Sequence, residues 1–412
     1  MMPPIMSEDK ARDWVPASGA ASAAAPVSER ETLSPGSLEV RWIRDVEGLD
    51  ALRPCWNRLS GGIPFRRWEW LVPWWKHFHE RRDTLFVLTV TDATGEIVGI
   101  APWFLRHSAI SGRVLRFLGS GMVCSDYLTI LHAPGREAVV TEALASQLTN
   151  LGPGCTWMEL GGVWAQDAAV RCFVHRLREG GNTADERPQE NCWRIELPDS
   201  WEDYLRLLSK SRREKVRQLT RRLLDTPAAR IHVADSSRTL RDGLAVLNDL
   251  HQRRRRSLGQ PGCFASNAFR EFLEETAEAF LDLGRLRLQW IEIDSRPVVA
   301  EIDFADDDTL YMYQTGIDPR CAGQRPGWLG TIASLRHAID AGYRGYDFLR
   351  GDEPYKAHWR AEPKPMALLR VFPRSLRASL VRTVARNSLG RSLTRGLCAL
   401  KAGFGKRPSD GT

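Results

Sequence analysis

The sequence predicts an α/β protein with a mixed sheet, arranged as two tandem units of similar layout. Strand-sized apolar runs alternate with helical patterns along a chain of 412 residues, which is too long for one ordinary domain. The order strand, polar turn, strand occurs at 85–104 and again at 286–304, each time after a helical segment and before a strand, loop and helix. We therefore expect an N-terminal unit at 38–190 and a C-terminal unit at 191–375.

The N-terminal unit is predicted from apolar alternation, helical spacing and turn residues. The aromatic run at 65–78 is typical of helices that pack tryptophan against a sheet, and Asp92–Gly95 is a hairpin turn. The predicted strands are 38–43, 85–90, 96–104, 115–118, 127–131 and 157–160, and the predicted helices are 44–59 and 137–148.

The C-terminal unit is predicted in the same way. The stretch Asp199–Asp203 supplies an N-cap with an acid three residues on, and it opens a long helix to about residue 224 whose surface is strongly basic. The other predicted elements are strands at 193–197, 231–233, 286–293 and 298–304, and helices at 239–256 and 267–283.

Composition limits the function classes. No apolar run reaches the roughly 18 residues that cross a bilayer. Residues 1–37 are rich in Ala, Ser and Pro, lack the apolar core of a signal peptide, and are predicted to be disordered. The eight cysteines show no paired spacing, which favours a reducing cytoplasm and argues against a zinc site and a disulfide scaffold. No metal is expected.

The net charge of +7 belongs to one end of the chain. Residues 363–408 hold eleven Lys or Arg and no acid, whereas the chain up to 362 holds 47 basic and 50 acidic residues. A body that coats nucleic acid is therefore not expected.

The segment 309–359 carries the main functional signal. It is predicted to form a strand, a basic Gly/Pro loop, a helix that begins at Pro326 and ends near Gly342, and a second strand at 345–349. Arg320 and Arg325 stand just before the helix, where free backbone N–H groups and the positive helix end attract anions. The segment therefore predicts an anion-binding site.

Three carboxylates near this segment are candidates for proton transfer. Glu301 and Asp303 share one face of a predicted strand, within expected reach of Tyr311 or Tyr313 on the next strand. Asp347 is expected near the carboxyl end of its strand, where open α/β sheets hold ligands. A solvated sheet face, or a structural role for Asp347, is the alternative.

A polar loop follows the second strand. Its density of ionisable side chains predicts a polar substrate, with a solvated loop as the alternative: Arg350, Asp352, Glu353, Tyr355, Lys356 and His358.

These residues together resemble the C-terminal half of the CelD-type acyltransferases, which are named for bacterial cellulose and exopolysaccharide biosynthesis. That family belongs to the GNAT superfamily and is similar in layout to the FemAB aminoacyl-transferases, which carry two GNAT-like folds in one chain. The resemblance covers most of 38–375 and implies two tandem GNAT-like folds. The matching motifs are Tyr313–Gly316, Arg325–Gly327 with Leu329, Gly342, Tyr346–Gly351, Glu353–Lys356 and Trp359.

The resemblance implies transfer of an acyl group from acyl-CoA, with acetyl-CoA the expected donor, to an amine or hydroxyl of a saccharide or cell-envelope precursor. Asp347 or Glu301 would be the base, and Tyr355 would give a proton to the leaving thiolate. The residues implied for the donor are Gln314, Gly316, Arg320, Gly323, Arg325, Gly327 and Trp328. Those implied for the substrate are Tyr313, Arg350, Lys356 and His358.

One departure leaves the donor open. The GNAT signature Q/R-x-x-G-x-G/A is matched at Arg320 and Gly323, but Arg325 stands where a small residue belongs. An aminoacyl-tRNA or a nucleotide sugar therefore stays an alternative donor. In a FemAB-like reading, the basic helix at 210–222 would contact tRNA. A third reading is a non-catalytic scaffold in a polysaccharide synthase complex.

The tail at 376–412 places apolar residues at helical spacing in a basic background. This pattern is typical of an amphipathic helix in peripheral contact with anionic lipid, here at the inner face of the membrane. A helix docked on the body, or a frayed tail, is the alternative.

Overall fold

The computed structural model describes residues 38–108, 112–148 and 155–373. The predicted disorder at 1–37 and the predicted amphipathic tail at 376–412 lie outside these residues.

The N-terminal unit follows the predicted hairpin order and ends in a long strand. Its elements are β1 (Glu39–Ile43), α1 (Val46–Ala51), α2 (Arg53–Leu59), α3 (Trp68–Phe78), β2 (Thr84–Thr91), β3 (Ile97–Ser108), β4 (Gly112–Phe117), β5 (Leu131–His132), α4 (Glu137–Gln147), β6 (Trp157–Trp164), α5 (Ala168–Glu179) and β7 (Thr183–Glu196).

The C-terminal unit repeats the layout. Its elements are α6 (Trp201–Leu207), α7 (Lys210–Leu219), β8 (Ala229–Val233), α8 (Ser237–Ser257), α9 (Asn267–Asp282), β9 (Leu286–Ile293), β10 (Arg296–Ala305), β11 (Thr309–Ile317), α10 (Pro326–Asp340), β12 (Gly345–Arg350), α11 (Tyr355–His358) and β13 (Glu362–Phe372).

The thirteen strands of the described residues form one sheet. Their order is β1-β2-β3-β4-β6-β13-β7-β12-β11-β10-β9-β8, with β5 beside β3. In each unit an antiparallel series is followed by one parallel pair, which is β4 with β6 in the first unit and β11 with β12 in the second. The predicted α/β class with a mixed sheet and two similar units is confirmed.

The two units exchange strands at the centre of the sheet. β13 belongs in sequence to the C-terminal unit but lies between β6 and β7, and β7 of the N-terminal unit lies between β13 and β12. The predicted boundary between residues 190 and 191 falls inside β7. Each unit therefore completes the sheet of the other.

The predicted strand at 127–131 is wrong, because this stretch leaves the sheet and returns only for the short β5. The predicted single helix at 200–224 is also wrong. The backbone becomes extended at Leu208, whose side chain is buried in the core, so α6 ends there and α7 begins at Lys210.

The larger core extends through both units. In the N-terminal unit it lies on both faces of the sheet, since the adjacent residues Trp103 and Phe104 of β3 pack against α5 and α3, and in the C-terminal unit it lies on one face. Trp70 of α3 is at its centre, with ring centroids 4.8 Å from Phe65, 5.1 Å from Phe272 and Phe304, and 4.9 Å from Tyr313. The predicted packing of tryptophan from 65–78 is confirmed. A second core lies on the opposite face of the C-terminal unit, under α6, α7 and α10.

Candidate active site

A wedge opens between β11 and β12. The two strands pair in parallel from Thr309 with Gly345 to Tyr311 with Asp347, and their pairing stops there although β11 runs on to Ile317 and β12 to Arg350. Backbone groups of β11 beyond residue 311 are therefore not paired with β12. Asp347 lies at the point where the strands separate.

The N-terminus of α10 lies just beyond the end of β11. Arg325 is its N-cap residue in the left-handed conformation, with φ of 53°, and Pro326 follows at the first helical position. Among the described residues no side chain caps this end of the helix. The first turn therefore presents backbone N–H groups and the positive end of a 15-residue helix. Gly323 and Gly327 flank the turn, and Gly323 is exposed.

Two guanidinium groups and two indoles lie at the same end of α10. Arg212 of α7 lies over the ring of Trp328 at 4.9 Å, and the exposed Arg325 lies 6.0 Å from it. Trp328 packs edge-on against the buried Trp359, with ring centroids 5.1 Å apart. His358 is exposed nearby, and burial followed by the charge of Arg212 lowers its pKa. This end of the helix is cationic and aromatic.

Arg320 lies close to α10 but is neutralised locally. Its guanidinium donates to Asp318 at 2.6–3.1 Å, and Asp318 also pairs with Arg253 at 3.3 Å. The bonds from Arg320 lower the pKa of Asp318. Of the two arginines predicted for the anion, Arg325 is thus at the helix end and Arg320 is held by an acid.

Gly316 faces helix α8 on the sheet face opposite α10. A Cβ at this position would lie 2.6 Å from the backbone nitrogen of His251 and 2.8 Å from the carbonyl of Leu247, so glycine permits the close approach of α8. Gln314 is half-buried on the same face. Both residues were predicted to bind the acyl donor. In the structure, both instead face α8 on the side of the sheet opposite α10.

Asp347 is buried, with a side chain about 1% exposed. Its Oδ2 accepts the hydroxyl of Tyr127 at 2.5 Å, and its Oδ1 accepts the backbone N–H of Leu349 at 2.7 Å. Burial raises the pKa of Asp347 to about 6, against these two hydrogen bonds, which lower it. The carboxyl is thus poised to ionise near neutral pH, and its main partner comes from the other unit.

Arg350 forms a second contact with the N-terminal unit. Its guanidinium donates to Asp126 at 2.5 Å and to the carbonyl of Ser125 at 3.0 Å, and its backbone N–H also donates to Asp126 at 3.1 Å. Burial alone would lower the pKa of Arg350, but Asp126 reverses this and the pKa lies above its ordinary value. Arg350 is held in a buried ion pair between the units.

Tyr313 is also placed between the units. Its hydroxyl donates to the carbonyl of Val123 at 2.9 Å, and its ring lies in the larger core beside Trp70 and Phe304. Burial raises its pKa well above the ordinary value. Tyr313 was predicted to bind the substrate, but the contacts of its side chain are with other residues of the protein.

Lys356 closes the carboxyl end of β12. Its ammonium donates to the carbonyls of Leu349, Arg350 and Gly351 at 3.0, 3.1 and 2.8 Å and pairs with Glu353 at 2.9 Å. These carbonyls are beyond the last pair with β11, so the lysine satisfies groups that the wedge leaves without a strand partner.

Tyr355 packs against Phe348, with ring centroids 5.9 Å apart. Burial raises the pKa of its phenol well above the ordinary value, and the charges of Glu353 and Glu301 add to this. The phenol therefore stays protonated at neutral pH, which a proton donor requires.

Glu301 lies in a closed polar network beneath α10. It accepts hydrogen bonds from Ser334, from the hydroxyl of Tyr346 at 3.1 Å and from Thr315 at 3.2 Å. Ser334 also donates to Asp303 at 3.3 Å. Both carboxylates are buried, and burial raises the pKa of each.

The predicted reach from this pair to Tyr311 or Tyr313 is wrong. A register shift between Ile302 and Asp303 leaves both tyrosines on the opposite face, where Tyr311 donates to Asp306 at 2.7 Å.

The Asp303→Asn variant is expected to be more stable than the wild type at pH 8 and to lose this advantage towards pH 4. The folded pKa of Asp303 is raised, so its stabilising protonated form is fully populated below the unfolded pKa of about 3.9 and is lost as the pH rises through the folded pKa. Asparagine carries no charge at any of these pH values. Thermal unfolding from pH 4 to 8 measures the difference.

The matched control is Asp308→Asn, which removes an exposed carboxylate from the same hairpin. Its effect on thermal stability should be small, because this carboxylate is exposed to solvent. An Asp303→Asn difference that does not change with pH would show that Asp303 is ionised in the folded protein.

The structure brings the predicted residues together in three places. Arg325, Gly327 and Trp328 form the α10 end; Asp347, Arg350 and Tyr313 form the contact between the units; Glu301 lies in its own network. Arg212, Asp126 and Tyr127 were not among the residues predicted for the site. Gly119 and Gly121, both with positive φ, precede these last two residues and were a signal for a loop instead of a strand.

In the described ranges, no helix is long and apolar enough to cross a membrane. The same residues contain no group of three or more His, Cys, Asp or Glu side chains arranged to hold a metal ion.

Comparison with known proteins gives one family match, within the C-terminal unit. Residues 210–357 match the family model described as an acetyltransferase (GNAT) domain. This range contains the wedge, α10 and the cationic end of that helix. No curated protein sequence matches the chain significantly.

Solved structures are similar in fold at low sequence identity. The crystal structure of FemX has a TM-score of 0.54 at 10% identity, covering 77% of this chain and 93% of that one. A conserved protein of unknown function from Bacteroides thetaiotaomicron VPI-5482 has a TM-score of 0.51 at 10% identity, covering 81% of this chain and all of that one.

The chain therefore has two tandem GNAT-like folds, and residues 210–357 of its C-terminal unit are similar to an acetyltransferase (GNAT) domain. The narrower resemblance to the CelD-type enzymes stays a prediction.

Proposed function

We propose that the protein is a GNAT-type acyltransferase that moves an acyl group from acyl-CoA to an amine or hydroxyl of a saccharide or cell-envelope precursor. The observation that carries this proposal is the wedge between β11 and β12, which opens beside the uncapped N-terminus of α10 and its arginines.

The wedge and the helix end suit the two parts of an acyl-CoA. The pantetheine arm is an extended amide chain, and the backbone of β11 beyond residue 311 offers it hydrogen-bonding groups. The pyrophosphate carries negative charge, and the α10 end offers backbone N–H groups with Arg325 and Arg212 beside them. Trp328 adds an aromatic surface.

The reaction would be direct acyl transfer. The acceptor's nitrogen or oxygen forms a bond to the thioester carbonyl carbon, the carbon–sulfur bond breaks, and the electron pair leaves with the sulfur. Asp347 would take the acceptor's proton, since a pKa of about 6 leaves it ionised at neutral pH. Tyr355, which stays protonated, would give a proton to the leaving thiolate.

Replacing Arg325 with Ala is expected to weaken acetyl-CoA binding about 10- to 100-fold, because a charge-assisted contact to phosphate would be lost. Isothermal titration calorimetry with acetyl-CoA measures the change. The matched control is Arg336→Ala, on the same helix, whose guanidinium pairs with Asp225 at 3.1 Å away from the helix end. Equal affinities in wild type and both variants would place the donor phosphates elsewhere.

A second candidate is transfer from an aminoacyl-tRNA. The observation in its favour is the basic surface of α7, which adjoins the α10 end through Arg212. Binding of tRNA that weakens steeply with salt, together with no thermal shift from acyl-CoA, would favour this candidate over the first.

A further inference from the structure

The N-terminal unit contains the counterpart of the wedge. Its parallel strands β4 and β6 pair from Val114 with Trp157 to Arg116 with Glu159. In the same way, β11 and β12 pair over three residues, and the last pair is Tyr311 with Asp347. Counted by register, Glu159 occupies the position that Asp347 holds in the C-terminal unit. The two clefts can therefore be compared residue by residue.

The N-terminal wedge is filled by its own chain. Residues 118–130, here called the plug segment, leave the sheet after β4. The backbone N–H of Leu128 donates to the carbonyl of Gly162 on β6 at 2.8 Å, and a Cβ at Gly162 would lie only 2.5 Å from the carbonyl oxygen of Ser125. Cys124 and Tyr127 adopt positive φ to make this path. A pantetheine arm would have to displace the plug segment.

The counterpart carboxylate is also neutralised. Arg370 donates to Glu159 at 2.8 and 3.0 Å, and Arg116 pairs with its other oxygen at 2.6 Å. Both oxygens of this carboxylate are therefore occupied by guanidinium groups, and neither is left free to take a proton from a substrate. Asp347, by contrast, has a hydroxyl and a backbone N–H as its hydrogen-bond donors.

The plug segment continues from the filled wedge into the C-terminal unit. Three consecutive contacts lie along it: the carbonyl of Val123 accepts the hydroxyl of Tyr313, Asp126 pairs with Arg350, and Tyr127 donates to Asp347. The segment that closes one cleft therefore supplies the hydrogen-bond donor to the candidate base of the other.

We propose that the plug segment leaves the chain with one donor site, in the C-terminal unit, and that Tyr127 is a positioning residue which orients Asp347 and favours its ionised form. This inference rests on the proposed role of Asp347 as the base. Tyr127 acts on the reaction through Asp347, by fixing one carboxylate oxygen and stabilising its negative charge.

Several other charged or titratable groups surround Asp347 from each neighbouring element, and the test must separate their effect from that of Tyr127. They are Asp126 on the plug segment, Cys192 and Arg194 on β7, Tyr311 on β11, Arg350 on β12 and Lys364 on β13.

The test is Tyr127→Phe, which removes the hydroxyl and keeps the ring. Loss of a hydrogen bond to a charged group should raise the pKa of Asp347 by about one to two pH units. Infrared difference spectroscopy follows this pKa directly, through the protonated carboxyl band that is missing in Asp347→Asn. In turnover, the acid limb of kcat/KM should move to higher pH by the same amount, and the rate should recover at high pH.

The matched control is Tyr311→Phe, because Tyr311 is 6.3 Å from Tyr127 but donates to Asp306. It should leave the pKa of Asp347 in place. Incorporation of 3-fluorotyrosine at Tyr127 preserves the shape and makes the hydroxyl a stronger donor, so the pKa should fall. An unchanged pKa in both Tyr127 proteins would overturn the positioning role, even if stability drops.

Calorimetry tests the single donor site. One acetyl-CoA per chain is expected, bound more weakly in Arg325→Ala; two equivalents would overturn the closure of the N-terminal wedge. The infrared titration needs no substrate. If no acyl-CoA binds and no thiol is released, the proposed function fails, whereas an unshifted band in Tyr127→Phe overturns the positioning role alone.

Discussion

The Asp347→Asn variant is expected to lower kcat for acyl transfer by about 10²- to 10⁴-fold while the fold is retained. This is the range that a positioned general base contributes, and asparagine cannot take the acceptor's proton. The amide has the size of the carboxyl and can still accept the backbone N–H of Leu349. Release of free thiol from acetyl-CoA, with a panel of sugar and amine acceptors, measures the rate.

The control for this variant is Asp352→Asn. Asp352 is on the loop after β12, is exposed, and accepts hydrogen bonds from Asn191 and Trp193 at 2.8 and 3.0 Å. It should turn over close to the wild-type rate. Wild-type turnover in Asp347→Asn would remove Asp347 from the chemistry.

The Asp126→Ala variant is expected to lose about 3–5 kcal/mol of unfolding free energy. Its carboxylate is fully buried and binds both the guanidinium and the backbone N–H of Arg350, so truncation leaves a charge and a donor without their partner. Urea unfolding at neutral pH measures the loss. Because the pair joins the two units, both units should unfold in one transition.

Two comparisons separate this effect from a general loss of charge. Glu202→Ala breaks the exposed pair with Arg217 and should cost no more than about 1 kcal/mol. Adding Arg350→Met to Asp126→Ala removes the buried unpaired charge and should restore part of the stability. Equal losses in Asp126→Ala and Glu202→Ala would show that the buried pair contributes no more than a surface pair.

The elements that the sequence predicted well are those specified by neighbouring residues. The hairpins at 85–104 and 286–304 carry their turn residues between alternating apolar runs, and α10 carries proline at its start and glycine past its end. The strand segments that were missed lack such local signals, whereas helix α5 was missed although Asp167 caps its start and its buried apolar residues lie at helical spacing. Only the end of β7 was predicted, as the strand at 193–197, because the residues before it are mostly polar; β13 contains Pro363 and Pro365, which argue against a central strand. In the structure Pro365 lies at an irregularity of the register between Lys364 and Met366, so the ladder tolerates it.

The candidate site divides in the same way. The cationic end of α10 follows from a short stretch of sequence, and Arg325 was predicted from it. The partners of Asp347 and Arg350 could not be predicted from a short stretch of sequence. Tyr127 and Asp126 lie more than two hundred positions earlier and contact them only when the sheet is complete. Lys356 was predicted to bind the substrate because it lies in a polar loop. The sequence of that loop does not reveal that the ammonium group donates to three backbone carbonyls.

The exchange of β7 and β13 has a consequence for synthesis on the ribosome. β6 ends at Trp164, but the strand that covers its inner edge begins at Glu362, so the nascent N-terminal unit emerges with that edge open until the residues of β13 have been made. An uncovered edge strand is prone to pair with other chains. Translation speed between these two strands, and chaperones that bind extended segments, should therefore govern the yield of this protein more than the stability of either unit does.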